Sequence, residues 1–396
     1  MFDPAHYRGV RRPVAQAETL PAWCYTSPEF YGREVDRIFG PGWHFVGRAD
    51  EVAAPGDYLT IDTVPGPLVL LRDGAGRLGA FANTCRHRGA RLLDGRGRCR
   101  TIVCPYHGWT YGPDGALLGA PGMRDRPGFD RADWGLTPVR CETWQGFVFV
   151  SFDPSGPGLA EHFGDLAEKL GGYGFDRMVC VRRLDYDVAC NWKLLVENAM
   201  EEYHTGTVHH ASLGQQHALP EETRGHWDAI YIPQETSIAV LPGETAPFPH
   251  VPGLAGRPAQ GTYFTILHPA TQFACTQDCM WWLRVLPLGP TRSRLGVGFC
   301  FPRATVARPD FEAGVKRYFH RWETGIGEDN AICEAQQAGL GSVLRRPGPF
   351  ALREPAVHRV NNWVLDQVLD EADRPRAMRA EAWGVARPRT THSIGE

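Results

Sequence analysis

Two groups of residues in this 396-residue chain have the types and spacing that metal chemistry needs. The first is Cys85-Arg-His87 followed, after sixteen intervening residues, by Cys104-Pro-Tyr-His107. Two loops that each deliver one thiolate and one imidazole suit a [2Fe–2S] cluster, with Cys85 and Cys104 on one iron and His87 and His107 on the other. Exchanging two thiolates for neutral imidazoles removes negative charge, raises the reduction potential and leaves a histidine edge through which electrons can pass. A structural zinc site uses the same ligand types, but zinc pairs are usually two to four residues apart, and Cys-x-His is tighter than that. Cys99 lies between the loops and reads as a packed or surface thiol.

The second group lies in the stretch Asn191-Trp-Lys-Leu-Leu-Val-Glu-Asn198-Ala-Met-Glu201-Glu-Tyr-His204-Thr-Gly-Thr-Val-His209-His210. Up to His204 it reads as one helix, which puts Glu201 and His204, three apart, on a shared face. His209 is then about 140° away from His204 around an ideal axis, so the helix must loosen. Thr205-Gly206-Thr207 is composed to allow it. Two histidines delivered this way, with one carboxylate from elsewhere, make a facial triad that holds Fe(II) and keeps positions open for O2. His210 competes with His209 and is disfavoured by spacing. A carboxylate three residues before a metal histidine can accept that histidine's second N–H, which gives Glu201 an orienting role. Asn198, one turn earlier, is a candidate for lining the pocket.

These groups need scaffolds of two kinds. Ser27 to Phe39 reads as a capped amphipathic helix. From Tyr58 to about Phe152 the chain alternates short apolar β runs (58–64, 68–73, 78–83, 100–104 and 146–152) with turns such as Asp73-Gly74 and Pro113-Asp114-Gly115, the pattern of a small all-β domain. Asp153 to Gly158 reads as a linker. Beyond it, strands at 181–188, 263–267, 281–286 and 294–301 mix with helices near 192–203, 309–341 and 354–370. The whole is α+β, and the second domain is expected to hold an antiparallel sheet.

CRHRGARL…CPYHGWTY, with the preceding helix and the Pro-Gly-Asp-Tyr entry at 55–58, resembles the Rieske domain of the ring-hydroxylating oxygenase α-subunit family. The stretch from Glu201 resembles that family's acid-x-x-His-x4-His motif. The resemblance implies a boundary of 1–44 for a helical arm, 45–155 for a Rieske [2Fe–2S] domain and 159–396 for a catalytic non-haem iron domain. It implies Asp329, in GIGEDNAICEAQQAGL, as the third ligand beside His204 and His209, with Glu328 and Glu334 as local rivals. It further implies a ring of subunits, usually a trimer, in which Glu201 bridges His107 or His87 of a neighbour to His204. Most of the family carries Asp where this chain has Glu201; the longer acid is similar to the subgroup that oxidises quaternary ammonium compounds. The expected function is a terminal oxygenase component that hydroxylates, dihydroxylates or demethylates a small organic molecule. An electron-transfer protein with an inert second domain and a zinc-stabilised binding module are the rivals.

Composition narrows the partners. The chain has 42 Lys and Arg against 45 Asp and Glu, a formal charge of −3, and no block of like charge, so nothing marks a nucleic-acid or anionic-membrane surface. The N-terminus has no apolar signal region and no run approaches a membrane span, so a cytoplasmic protein is expected. Eleven cysteines, an odd number, fit metal ligation or burial better than a disulfide framework. Neither a Gly-x-Gly-x-x-Gly turn nor a plant-type ferredoxin cysteine run is present. Electrons from NAD(P)H would therefore arrive through a separate flavin reductase, with or without a ferredoxin. For the substrate, Tyr263, Phe264, Trp281 and Trp282 are candidates for a cation cage, and an acidic substrate would call for an arginine clamp.

Overall fold

The computed structural model describes residues 1–369, which form two compact units. One is Gly40–Gly156; the other joins Met1–Phe39 to the chain from Pro157 onward. Asp370, the expected end of the last helix, and the rest of the expected catalytic domain to Glu396 lie outside the described residues.

In the unit Gly40–Gly156, a seven-stranded antiparallel sheet runs in the order Trp43–Arg48, Phe147–Ser151, Pro138–Trp144, Leu78–Ala82, Pro67–Arg72, Asp57–Asp62, Arg96–Arg98. Because Trp43 pairs with Ser151 and His44 with Val150, these two residues belong to the sheet, and the division from the N-terminal arm falls at Phe39. The run Leu68-Val-Leu-Leu71 is buried throughout, since successive side chains enter opposite cores. Leu68 and Leu70 pack with Val46, Ile61 and Val148. Val69 and Leu71 pack with Ile102, Trp109, Tyr111 and the two cysteines Cys85 and Cys104. A smaller sheet of Ile102–Val103, Thr110–Tyr111 and Leu117–Gly119 sits beside that second core. Gly56 opens the strand Asp57–Asp62 at φ +86°, and a Cβ there would meet the Cys99 carbonyl at 2.7 Å, so only glycine fits the entry.

The other unit is built on a second seven-stranded antiparallel sheet, ordered Met178–Val188, Arg292–Pro302, Met280–Gly289, Thr271–Cys275, Gly261–Leu267, Trp227–Pro233, Leu219–Pro220. The helices that matter to function are Trp192–Asn198, Phe311–Leu340 and Pro355–Leu369. Two expected helices differ from the sequence reading. The opening segment is α-helical over Pro28–Glu34, with Ser27 Oγ accepting from the Glu29 and Phe30 amides, and continues as a π-helix over Val35–Phe39. The helix expected over 192–203 stops at Asn198. Among the described residues no helix is long and apolar enough to cross a membrane.

The helix Trp192–Asn198 is pinned from several sides. Its N-cap Asn191 accepts from the Lys193 amide and donates to the Pro290 carbonyl, and the Asn191 amide donates to Gln337 Oε1 at 2.7 Å. Lys193 and Glu34, both 0% exposed, pair at 2.5 Å, and Trp192 Nε1 donates to the same carboxylate. One turn on, Glu197 accepts from Tyr25 and from Asn361 at 2.8 and 2.7 Å, and its burial, only partly offset by these bonds, lifts its pKa to about 7. The N-terminal arm and the last helix thus fix the element that leads into the histidine segment. Breaking a buried ion pair from one side costs roughly 3–5 kcal/mol, so Lys193→Met should lose stability of that order in chemical denaturation. Lys193→Met/Glu34→Gln, which still accepts from Trp192, should recover most of it. A double variant no more stable than the single would show that the pair does not secure the arm.

Candidate active site

After Asn198 the chain leaves the helix, and Glu201 and His204 are brought together by a turn instead of a shared helical face. Glu201 uses both oxygens: Oε2 accepts from the His204 amide at 3.1 Å and Oε1 lies 2.7 Å from His204 Nδ1. The loosening expected at 205–207 therefore occurs earlier. Thr205–Val208 forms a single helical turn, which carries His209 round to face His204 with ring centroids 5.1 Å apart.

His209 is held in the same manner as His204. Its Nδ1 is 2.7 Å from Glu328 Oε2, which Ser212 Oγ also contacts at 2.6 Å. With each Nδ1 against a carboxylate, the partners assign the proton to Nδ1 and leave the Nε2 lone pairs free. Both lone pairs converge on one atom, Asp329 Oδ1, at 3.4 Å from His204 Nε2 and 3.1 Å from His209 Nε2. That oxygen is buried and has no hydrogen-bond partner. Two Nε2 atoms and a buried carboxylate oxygen facing each other are what a divalent cation would bridge, and the three ligand atoms lie within 4.8 Å of one another. The donor set fits iron.

The charges lead to the same conclusion. Burial acts to lower the pKa of His204, but Asp329 and Glu201 outweigh it and raise it to about 10. His209 is likewise raised by Asp329 and Glu328 against burial. Burial would raise Asp329, yet the two imidazoles hold it down to about 2. The centre draws positive charge, which a metal supplies in place of protons.

Glu328, a rival for the third ligand position in the sequence reading, holds His209 in place instead; its signal in the sequence was its position next to Asp329. Glu334 accepts from the Ala189 amide and stays out of the cluster. His210 is exposed, with Nδ1 against the Thr207 carbonyl. The triad opens on a cavity of about 100 Å³ that Asn198 and Glu201 also line, ample beside the roughly 10–15 Å³ one water needs. Strand alternation divides the aromatic candidates: Phe264, Ala274 and Trp281 form one cross-strand row facing the cavity, whereas Tyr263 and Trp282 do not line it.

In the other unit, Cys85 and Cys104 sit on two loops with one hydrogen-bonding plan. Each cysteine amide donates to the carbonyl five residues on, Ala90 or Trp109, and each cysteine carbonyl accepts from the glycine four residues on, Gly89 or Gly108. Both glycines have left-handed φ, +74° and +71°, which explains the residue type. Both thiols are buried at 3% exposure, while His87 and His107 are exposed with ring centroids 4.6 Å apart. His87 stacks on Trp109 at 5.1 Å, and the pKa of His107, exposed as it is, is lowered by the local desolvation its neighbours impose and then by the charges of His87 and Arg88. Tyr111 Oη lies 3.3 Å from Cys85 Sγ and accepts from the Arg86 amide. Two inner thiols and two outer imidazoles fit a mixed-ligand [2Fe–2S] cluster. Cys99 is on neither loop; it packs at the edge of the same core.

Residues 42–137 match the family described as the Rieske [2Fe-2S] domain, and residues 175–370 match the ring hydroxylating alpha subunit (catalytic domain). A choline monooxygenase of Arabidopsis thaliana is 30% identical over 371 residues, covering 90% of this chain and 83% of its own. The chain belongs to the Rieske non-haem iron oxygenases. Another relative, the glycine betaine monooxygenase oxygenase subunit of Chromohalobacter salexigens, is 29% identical over 389 residues, covering 90% of this chain and 87% of its own. The structure of the quaternary ammonium Rieske monooxygenase CntA with γ-butyrobetaine superposes with a TM-score of 0.75 at 24% identity, covering 91% of this chain and 97% of that one. Naphthalene 1,2-dioxygenase from Rhodococcus sp. has the same fold, with a TM-score of 0.76 at 20% identity over 94% of this chain and 100% of its own. As a Rieske oxygenase, this chain is the terminal oxygenase component: it works with a Rieske cluster, mononuclear iron and O2 on a small molecule, with electrons from a reductase.

The carboxylate on His209 gives a direct test of the site. Glu328→Gln keeps a partner for Ser212 but loses the charge that orients and enriches the imidazole, and such losses weaken metal affinity or activity roughly 10–100-fold. Iron retention during dialysis against a chelator should fall accordingly, while His210→Ala should match wild type. Equal retention in Glu328→Gln and wild type would remove Glu328 from the site.

Proposed function

We infer that His204, His209 and Asp329 hold the mononuclear iron and that Cys85, Cys104, His87 and His107 hold the Rieske cluster of a monooxygenase. The observation that carries this reading is the unpartnered Asp329 Oδ1 facing two Nε2 lone pairs. The two metal groups supply one-electron transfer and O2 activation. In the net reaction one oxygen atom enters a C–H bond of the substrate, the other leaves as water, and two electrons and two protons are consumed.

The chain's own residues prepare this chemistry. Glu201 and Glu328 hold the Nδ1 protons, which turns both Nε2 atoms toward Asp329 and fixes the ring planes; Asp329 supplies the negative charge that retains a divalent ion. Asn198, at the end of its helix, presents an amide to the cavity beside Glu201. Phe264, Ala274 and Trp281 give an apolar wall that keeps water from the reacting carbon. The exposed histidine edge formed by His87 and His107 is the exit for electrons from the cluster, and the electrons come from a flavin reductase, directly or through a ferredoxin. Among the described residues no two cysteines are joined in a disulfide, as expected in a reducing compartment where NAD(P)H is at hand.

In a quaternary ammonium Rieske monooxygenase that oxidises carnitine, electrons pass between subunits. For this chain we assign Glu201 the link between a neighbour's cluster histidine and His204 in a trimeric ring. The substrate class is that of the relatives, small quaternary ammonium compounds, supported by the longer acid at position 201 and by the choline and glycine betaine on which the relatives act. Glu201→Gln should load both metals yet keep its pre-reduced cluster reduced after mixing with O2 and glycine betaine, with transfer slowed by more than the roughly 10–100-fold expected of an orienting group alone. Cluster reoxidation at the wild-type rate would end the bridging role.

A further inference from the structure

Arg321 lies on the helix Phe311–Leu340, two turns before Asp329, and lines the same cavity. It is 3% exposed. Its Nε donates to the Ile238 carbonyl at 2.9 Å, and its guanidinium lies over the Trp322 ring, 3.4 Å from the centroid. Among the described residues no carboxylate forms an ion pair with it, and its terminal nitrogens carry no hydrogen bond. Those nitrogens are not sealed off in the interior, and Arg321 lines the cavity on which they open. Side chains on a helix normally lean toward its N-terminus, but this one leans the other way. Nη1 lies 3.4 Å from the position a Cβ on Gly325 would take, one turn nearer to Asp329.

A buried guanidinium without a counter-ion is costly, and the cost shows in its pKa, which burial lowers to about 9 despite the pull of Asp329 and Glu328. Stacking and the Ile238 bond fix the plane of the fork while leaving two donors pointing into the substrate space, a geometry matched to a carboxylate. A Cβ on Gly325 would crowd Leu213 Cδ1 at 3.1 Å and Arg321 Nη1 at 3.4 Å, so glycine leaves the fork its room, and Asp329 follows one helical turn on, roughly 5–6 Å along the axis. A lone cation would meet a like charge here, and Arg321 already occupies one face of Trp322.

We propose that Arg321 binds the carboxylate of the substrate and so selects small organic acids, zwitterionic betaines included, over their uncharged or purely cationic analogues. This rests on reading the cavity as the substrate site. The alternative is that Arg321 only balances the charge of Asp329 and Glu328.

The test is calorimetric binding to anaerobic, iron-loaded enzyme with two matched pairs: glycine betaine against choline, and benzoate against benzyl alcohol. The betaine pair reports a zwitterion site and the aromatic pair an aromatic-acid site. In at least one pair the acid should bind roughly 10–100-fold more tightly, the range of a charge-assisted, two-pronged bond. Arg321→Gln should erase that difference without weakening the acid-free partner, and Arg321→Lys should restore part of it. Iron content and the visible spectrum of the cluster should match wild type in both variants. No preference for the acid in either pair, or equal weakening of both members in Arg321→Gln, overturns the proposal; loss of iron in both variants overturns it in favour of the charge-balancing role. Failure of wild type itself to load the mononuclear iron would instead refute the oxygenase reading.

Discussion

The iron site proposed at His204, His209 and Asp329 depends on where two imidazoles keep their Nδ1 protons. Glu201 and Glu328 each hold one Nδ1 at 2.7 Å, which turns both Nε2 lone pairs inward and leaves Asp329 Oδ1 as the third donor. The rest of the catalytic unit serves this arrangement. The long helix presents Glu328 and Asp329 as consecutive residues, about 100° apart around the axis, so one reaches the outer nitrogen of His209 and the other its inner nitrogen. The histidine segment must abandon helical geometry after Asn198 so that Glu201 can take both the amide and the ring of His204. That break is tolerable because the preceding helix is clamped by the arm and the last helix through Lys193–Glu34 and Glu197.

The cluster unit applies a related rule in a different scaffold. Two loops with the same hydrogen-bonding plan bury their thiols against the core under the Pro67–Arg72 strand and leave their imidazoles at the surface. The left-handed glycines Gly89 and Gly108 close both turns. Tyr111, on the short strand beside the second loop, adds a hydroxyl against Cys85 Sγ. Hydrogen bonds to cluster sulfurs help set the potential, so the core around these loops does more than support them.

Much of this was readable from the chain. The paired Cys and His loops, the β-rich first domain, the sheet of the second and the spacing of His204 and His209 all follow from local patterns, which is why the α+β assignment and the family could be reached without coordinates. What escaped was set by long-range contacts. The helix through His204 looked continuous because Met200 to Tyr203 are compatible with a helix, and only Glu201 turning back on His204 competes with it. Glu328 looked like a spare ligand because nothing in sequence ties it to Ser212 and His209, more than a hundred residues away. The aromatic cage candidates split because strand register, unlike strand composition, decides which of Trp281 and Trp282 faces the cavity. Arg321 was invisible among many arginines until burial and an empty ion-pair position set it apart.

The central claim is that Asp329 completes an iron site which is separate from the cluster. Iron analysis of anaerobically purified Asp329→Ala, with the visible spectrum recorded on the same sample, tests it most directly. A [2Fe–2S] cluster plus one mononuclear ion amounts to about three irons per chain in wild type and about two in the variant, with the cluster bands unchanged. Three irons in the variant, or loss of the cluster bands along with the third iron, would contradict the claim.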